Sequence, residues 1–351
     1  MKETKEQEVK SGTLEHGTSV SLIVPTFQRP DFLYRCLSSI ALQSVLPAEV
    51  LVGIRSDDAS SRQILQKFSG PLEVKAIESK GVGVVGSMNS CLAEAKGDLI
   101  GLVDDDVELP PEWLKTMICH LETHPDVAGA GGRDFLMDHP AMRRAEPRRA
   151  DVGRFHWYGR MTGNQYRGSG GPRKVDVLRG SNCLYRGDFL RRVGFDKDLR
   201  GQGAQVHWEV ALALQARRLG RRLFYDPEIE VLHHVAPRLD GDQLHRGRFS
   251  PGPTVDMAFN ETFVMLKHGS GVVRVTGVLW QLLVGSPHCP GILTMIRSAI
   301  KSKALGLARI RATLKGRLLA CLAVTKSRYG NRPAAGEAAT PQGRGQERPL
   351  T

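Results

Sequence analysis

The chain has no CxxC pair: its six cysteines, Cys36, Cys91, Cys119, Cys183, Cys289 and Cys321, are scattered over 351 residues. That spacing argues against a zinc site and against a disulfide-stapled scaffold, and the expectation is reduced thiols in a cytosolic protein. The first 18 residues are charged and lack the apolar core of a signal peptide, so a frayed leader is expected there. Also missing is any interleaving of aromatic and basic residues of the kind that binds nucleic acid, although the net charge is +12. That charge is unevenly placed. From Thr294 onward twelve Lys or Arg face only Glu337 and Glu347, and the residues before them are nearly neutral. The basic balance describes a tail, and no nucleic-acid partner is expected.

What is present starts with a globular composition: 41% of the residues are apolar, in a length that can bury one large core. The most informative stretch is GDLIGLVDDDVELPPEWL, residues 97–114. An apolar run, Leu99 to Val103, enters Asp104, Asp105 and Asp106, and a Pro-Pro pair then opens an acid-started helix. Three adjacent carboxylates at a strand end repel one another and ask for a cation. Alternation along a strand puts Asp104 and Asp106 on one face and turns Asp105 away. Such an Asp-x-Asp clamp suits Mg²⁺ or Mn²⁺, which take one or two protein carboxylates and complete their shells with water and substrate phosphate. A diphosphate-bearing substrate follows from that chemistry. The bland alternative is a solvated acidic turn that caps the next helix.

Around this stretch, strand patterns alternate with helical ones. SVSLIVPT (19–26) precedes a helix over about 30–43, EVLVGI (49–54) precedes one ending near Phe68, and LEVKAI (72–77) leads through GVGVVG into one ending near Lys96. This order predicts an α/β fold, a Rossmann-like domain with a mixed, mostly parallel central sheet whose ligands gather at the carboxyl ends of the strands. Asp57, Asp58, Asp104 and Asp106 all fall at such ends. Residues 136–174, rich in Arg and Gly and without a clear period, read as a loop over the active site or as a plain surface insertion. Beyond them come VDVLRGSNCLYR, helices near 187–193 and 206–219, and two strands, RRLFYD and EIEVLHH.

In order and spacing, five pieces resemble the family 2 glycosyltransferases: SLIVPTFQRPDFLYRCLSSIALQS, EVLVGIRSDDAS, GVGVVGSMNSCLAEAKGDLIGLVDDDVELPPEWL, RGSNCLYRGDFLRRVGFD and HWEVALALQARRLGRRLFYDPEIEVLHH. Together they span about residues 19–236. The resemblance implies the A-type nucleotide-diphospho-sugar transferase fold and transfer from such a donor, a UDP-sugar first of all. It implies that Pro25 and Thr26 line the nucleotide pocket, that Asp57 or Asp58 hydrogen-bonds the base, and that Asp104 and Asp105 contact the donor. Asp104, Asp106 and His233 become metal ligands, with His234 facing the opposite way. Arg179, Gly180 and Asn182 line the sugar and acceptor side of the cleft.

Two departures from the family pattern bear on chemistry. Relatives often carry Arg-Asn before the metal strand, whereas Met88 precedes Asn89 here. Asn89 stays in the donor-binding set, and Lys80 or the backbone amides of GVGVVG replace the missing cation. Relatives also place a Glu-Asp pair eleven residues before a Gly. Counting back from Gly220 gives Glu209 as the general base, with Trp208 in place of the first acid. A helix-start acid without chemistry is the bland alternative for Glu209, as a helix cap is for Asp57 or Asp58. The Gln-x-x-Arg-Trp segment of processive members is absent downstream of Glu209, which favours single transfer.

Residues 275–296 hold no charged side chain, yet SPHCPG interrupts them; a membrane span, a shallow membrane contact and packing on the catalytic domain all stay open. Residues 297–328 combine Leu, Ile and Ala with nine basic and no acidic residues, and read as a helix lying on an anionic membrane. The expected organisation is a leader (1–18), a catalytic domain (19–270), an apolar then basic helical region (271–328) and a disordered tail (329–351). Within the catalytic domain, 19–134 is the nucleotide-binding half, 135–174 the loop and 175–270 the acceptor half. On this reading a chain ending near Val273 stays active. The expected activity is inverting, metal-dependent sugar transfer to a glycan or lipid-linked acceptor, peripheral to the cytoplasmic face of the plasma membrane. Rival readings are a catalytically impaired relative and a basic nucleic-acid- or membrane-binding protein on the same fold.

Overall fold

The computed structural model describes residues 17–137, 147–237, 239, 249–294 and 303–329. In its first half β1 (Val20–Pro25), α1 (Pro30–Ala41), β2 (Glu49–Ile54), α2 (Ala59–Lys67), β3 (Val74–Glu78), α3 (Gly83–Glu94) and β4 (Leu99–Val103) alternate as expected. Then follow β5 (Val107–Glu108), α4 (Trp113–Thr123), β6 (Val127–Leu136), a hairpin of β7 (Arg154–Phe155) and β8 (Met161–Thr162), β9 (Arg173–Val175) and β10 (Asn182–Arg186). The remaining elements are α5 (Gly187–Val193), α6 (Trp208–Arg218), β11 (Arg222–His233), α7 (Pro251–His268), α8 (Gly271–Leu283) and α9 (Lys303–Tyr329).

The main sheet runs β3-β2-β1-β4-β10-β6-β11-β5, with β9 beside β11. The crossovers through α1, α2 and α3 make β1 to β4 parallel, whereas β10 is antiparallel to both its neighbours, β4 and β6. Both faces of the central strands are buried, which explains their unbroken apolar runs. Leu22 and Val24 point to one core with Leu33, Leu37 and Ile40 of α1 and Trp113 of α4. Ile23, between them, points to the other with Met88 of α3, Leu212 of α6 and Phe259 of α7.

Three expectations change. RRLFYD and EIEVLHH form one 12-residue strand, β11, whose register on β6 shifts between Tyr225 and Glu230 instead of breaking at Pro227. The strand beside it, β6 (VAGAGGRDFL), went unread because its glycines mask the strand pattern. The described part of the expected loop, 147–174, is built into the body. Val152 and Phe155 are core residues, β9 pairs with β11, and Tyr225 Oη donates to Gln165 O at 2.7 Å. Residues 138–146 of that loop lie outside the described residues.

The basic helix also packs. Ala312, Thr313, Arg317 and Ala320 of α9 are buried against α7, and a Cβ at Gly316 would stand 2.3 Å from Val255 O, so only glycine permits this approach. Arg317 donates to Cys289 O at 2.7 Å, tying α9 to the segment after α8. No helix among the described residues is long and apolar enough to cross a membrane. A chain ending at Val273 would uncover the face of α7 that α9 covers. It is expected to lose about 3 kcal/mol or more, seen as a fall of roughly 10 °C in the unfolding midpoint. An unchanged midpoint would show that α9 packs without stabilising.

Candidate active site

The chain turns as soon as β4 ends: Asp104, Asp105 and Asp106 lie in the turn to β5, where Val107 N–H donates to Asp104 O at 3.3 Å. The turn, not strand alternation, separates the three carboxylates, and it divides them as expected. Antiparallel pairing of β11 with β5 sets His233 opposite Val107 and so beside this turn. Ligand atoms of Asp104, Asp106 and His233 then lie within 4.8 Å of one another. Asp105 faces the other way but inward, accepting from Thr26 Oγ1 at 2.6 Å and from Arg29 Nη1 at 2.8 Å. His234 also diverges, its Nε2 standing 2.7 Å from Glu108 Oε1.

The cluster has the chemistry of a cation site. Asp106 Oδ1 and His233 Nε2 are buried, face each other at 3.2 Å and have no aligned hydrogen-bond partner among the described residues. Two orphaned ligand atoms next to a further carboxylate fit a hard divalent ion. Burial disfavours the Asp106 anion, but the facing imidazole, Arg29 and the Ala236 N–H outweigh it and hold the carboxyl well below the usual range. Burial also disfavours the His233 cation, yet Asp106 and Asp134 hold the ring up to about 9. A metal entering here would displace that proton.

Behind His233 stands a residue that the sequence did not reveal. Asp134, fully buried on β6, lies 3.4 Å from His233 Nδ1, accepts from Ser181 Oγ at 2.5 Å and pairs with Arg179 at 2.8 Å. A carboxylate behind a metal-facing imidazole fixes its tautomer and orientation. Arg29, which also reaches to 3.8 Å from Asp106, was likewise missed. Its only signal was a basic residue just after the first strand's turn.

A pocket of about 290 Å³ opens over the turn. Pro25, Thr26, Asp104, Asp105 and His233 line it, and so do Arg179 and Gly180. Trp208 packs edge-on to Phe195, with ring centroids 5.6 Å apart, and fills the space beside Gly180, where a Cβ would meet the indole at 2.1 Å. Glu209 follows it on the pocket wall, in the first turn of α6. The residue is half-buried, and the dense surroundings of its carboxyl, reinforced by Asp104 and opposed by Arg179, push it up to about 7. The other acids and bases near this segment lie elsewhere. Asp196 is bound by His268 at 2.6 Å and Lys267 at 2.8 Å in a separate cleft, and burial drives His207 down to about 4.

Four expected donor-binding residues do not reach the pocket wall. Asp58 caps α2 through Ser61 N–H at 3.0 Å and also accepts from Gln28 N–H at 2.6 Å, so it fixes the turn after β1. Asp57 instead grips Arg55, which lines the pocket and lies 4.2 Å from the ring centre of Phe27. Lys80 is exposed. Asn89 ties α3 to the following half, donating to Phe195 O at 2.9 Å and accepting from Phe195 N–H at 3.2 Å. At the glycine turn Gly83 and Val84 line the pocket, but Val84 N–H donates to Gly203 O at 2.8 Å and Val85 N–H to Gln205 Oε1 at 2.9 Å, so these two amides are already engaged. Asn182, expected on the acceptor side, is buried and accepts from Trp113 Nε1 at 2.7 Å.

Known proteins share this architecture. A glucosyl-dolichyl phosphate glucuronosyltransferase of Haloferax volcanii is 24% identical over 228 residues, 62% of this chain and 69% of that enzyme. A validoxylamine A glucosyltransferase of Streptomyces hygroscopicus subsp. limoneus is 25% identical over 219 residues, 55% of this chain and 47% of that enzyme. Matches to hyaluronan and chondroitin synthases of Pasteurella multocida and Escherichia coli cover only 12–18% of their length. The crystal structure of S. aureus TarS 1–349 in complex with UDP-GlcNAc superposes with a TM-score of 0.56 at 15% identity, covering 88% of this chain and 81% of that one, which bears on the fold alone. The family model for glycosyl transferase family 2 matches residues 21–194. That match runs from β1 through the aspartate turn to α5, and the chain accordingly belongs to glycosyl transferase family 2.

Proposed function

We propose that the protein transfers a sugar from a UDP-linked donor to a hydroxyl of a glycan or lipid-linked saccharide, inverting the anomeric configuration. The observation that carries this reading is one pocket lined by Glu209, a carboxylate raised to about 7, and by Asp104 and His233, which form a ligand cluster with the buried Asp106. Phe27, backed by Arg55 and through it by Asp57, offers a flat face to a nucleobase. Arg179 supplies positive charge in place of the cation that Met88 cannot give. The UDP-GlcNAc held by TarS favours a UDP donor, and the dolichyl phosphate in the Haloferax enzyme's name favours a lipid-linked acceptor.

In this mechanism Glu209 accepts the proton of the acceptor hydroxyl as its oxygen bonds to the anomeric carbon. The bond from that carbon to the donor diphosphate breaks on the opposite face, and UDP departs. Mg²⁺ or Mn²⁺ held by Asp104, Asp106 and His233 would neutralise charge on the departing diphosphate. Asp134 keeps the His233 ring turned toward the cluster. Trp208 makes the neighbouring part of the pocket wall apolar, which disfavours water as a competing acceptor. The test is a panel of nucleotide sugars offered with Mn²⁺ and simple acceptors. Nucleotide diphosphate should appear with one donor and cease on chelation, whereas release from none would overturn the reading.

A further inference from the structure

We infer that the protein docks on anionic lipid bilayers through the β7–β8 hairpin and the outer face of α8, a surface separate from the catalytic pocket and from the basic helix α9. The hairpin lies on α8: Thr276 Oγ1 donates to Trp157 O at 2.8 Å, the Tyr158 and Trp280 rings stand 4.7 Å apart, and Gly159 abuts Gly277. At its tip Trp157 is 65% exposed, and Met161 is exposed beside it. On α8 the inward side, Val273, Gly277 and Gln281, is buried, while Val272, Val275, Leu279 and Leu283 are exposed, Val275 to 61%. Their spacing is that of one helical face. An apolar face with a bare tryptophan at its edge matches the boundary between headgroups and acyl chains, where an indole keeps its N–H wet and its rings in the apolar layer.

The charge around this face selects the occupant. No Asp or Glu occurs between Glu261 and Glu337, so α8 carries no acid, and its one cation is Arg274. The hairpin segment from 152 to 175 likewise has no acid and five Lys or Arg, with Arg154 and Arg160 exposed on either side of Trp157. The nearest preceding acid, Asp151, stands 3.8 Å from Arg154. A protein partner, or a second copy of this chain, would place these like-signed cations against its own mixed or equally basic surface. A sheet of phosphate headgroups suits them without further arrangement. The last segment, 330–351, cannot supply a cover, since Leu350 is its only large apolar residue. No helix among the described residues is long and apolar enough to cross a bilayer, and the contact inferred is in the plane of the membrane.

The test uses the full chain and reads lipid binding, so it does not depend on the transfer reaction. The protein should co-sediment with vesicles of phosphatidylglycerol mixed with phosphatidylcholine, be released by salt, and bind phosphatidylcholine alone weakly. Combining Trp157→Ser, Val275→Ser and Leu279→Ser should weaken that binding about tenfold or more, with the unfolding midpoint and donor turnover unchanged. Vesicle binding that survives the triple change would overturn the inference, as would loss of binding only in a Leu314→Ser, Leu318→Ser variant of α9. A wild-type chain that ignores vesicles but dimerises in sedimentation, and dissociates on the triple change, would assign the face to a second copy instead.

Discussion

Asp106→Asn is expected to cut sugar transfer by roughly 10² to 10⁴ and to remove the part of nucleotide binding that depends on Mn²⁺. The substitution keeps the shape of the side chain but removes the charge that faces His233 and Arg29 in a buried site. A divalent ion would then meet one carboxylate and an imidazole in place of two carboxylates and an imidazole, a weaker set for a hard cation. Titration of Mn²⁺ by electron paramagnetic resonance should show weaker binding, and nucleotide binding measured without metal should be unchanged. Equal Mn²⁺ affinity and equal turnover in the variant would sink the cluster as a metal site.

Glu209→Gln tests the base. The amide fills the same space beside Trp208 but cannot accept a proton, so transfer should fall by roughly 10² to 10⁴ while donor and metal binding persist. The wild-type enzyme should also carry a signature in pH. A base works only when ionised, and burial raises this carboxyl to about 7, so kcat/KM should climb with pH through the neutral range and level off above it. Part of that elevation comes from Asp104, so a bound cation at Asp104 should move the climb to lower pH. The Gln variant should lose the climb altogether. Near-normal transfer in the variant would reduce Glu209 to a helix-start acid.

Much of the frame was legible because the residues that build it carry local signals. Buried parallel strands read as unbroken apolar runs, and β1, β2 and β4 lie within a residue or two of where those runs end. The three aspartates and His233 were legible too, one through charge density and the other through resemblance. What stayed hidden was pairing. Nothing in VAGAGGRDFL tells that Asp134 will stand behind His233, since the two are joined only by the parallel pairing of β6 with β11. Asp58 had two legible roles, base contact and helix cap, and the sequence could not weigh them. The four donors around its carboxylate decide for the cap. Lys80 and the glycine turn looked like phosphate binders because a helix start usually has spare amides. Here Gly203 and Gln205, more than a hundred residues further on, occupy two of them, those of Val84 and Val85.

That last contact limits how this scaffold can be recombined. Gly83 adopts φ +64, and a Cβ there would come within 2.4 Å of the Gln205 amide, so the start of α3 and the segment leading to Glu209 are shaped to each other. A chimera that takes its acceptor-recognising half from another member, cut anywhere between 97 and 198, would separate the two and leave the buried Val85 amide without its acceptor. Transplanting acceptor preference onto this chain therefore requires moving residues 81–87 together with 199–209, as a discontinuous cassette.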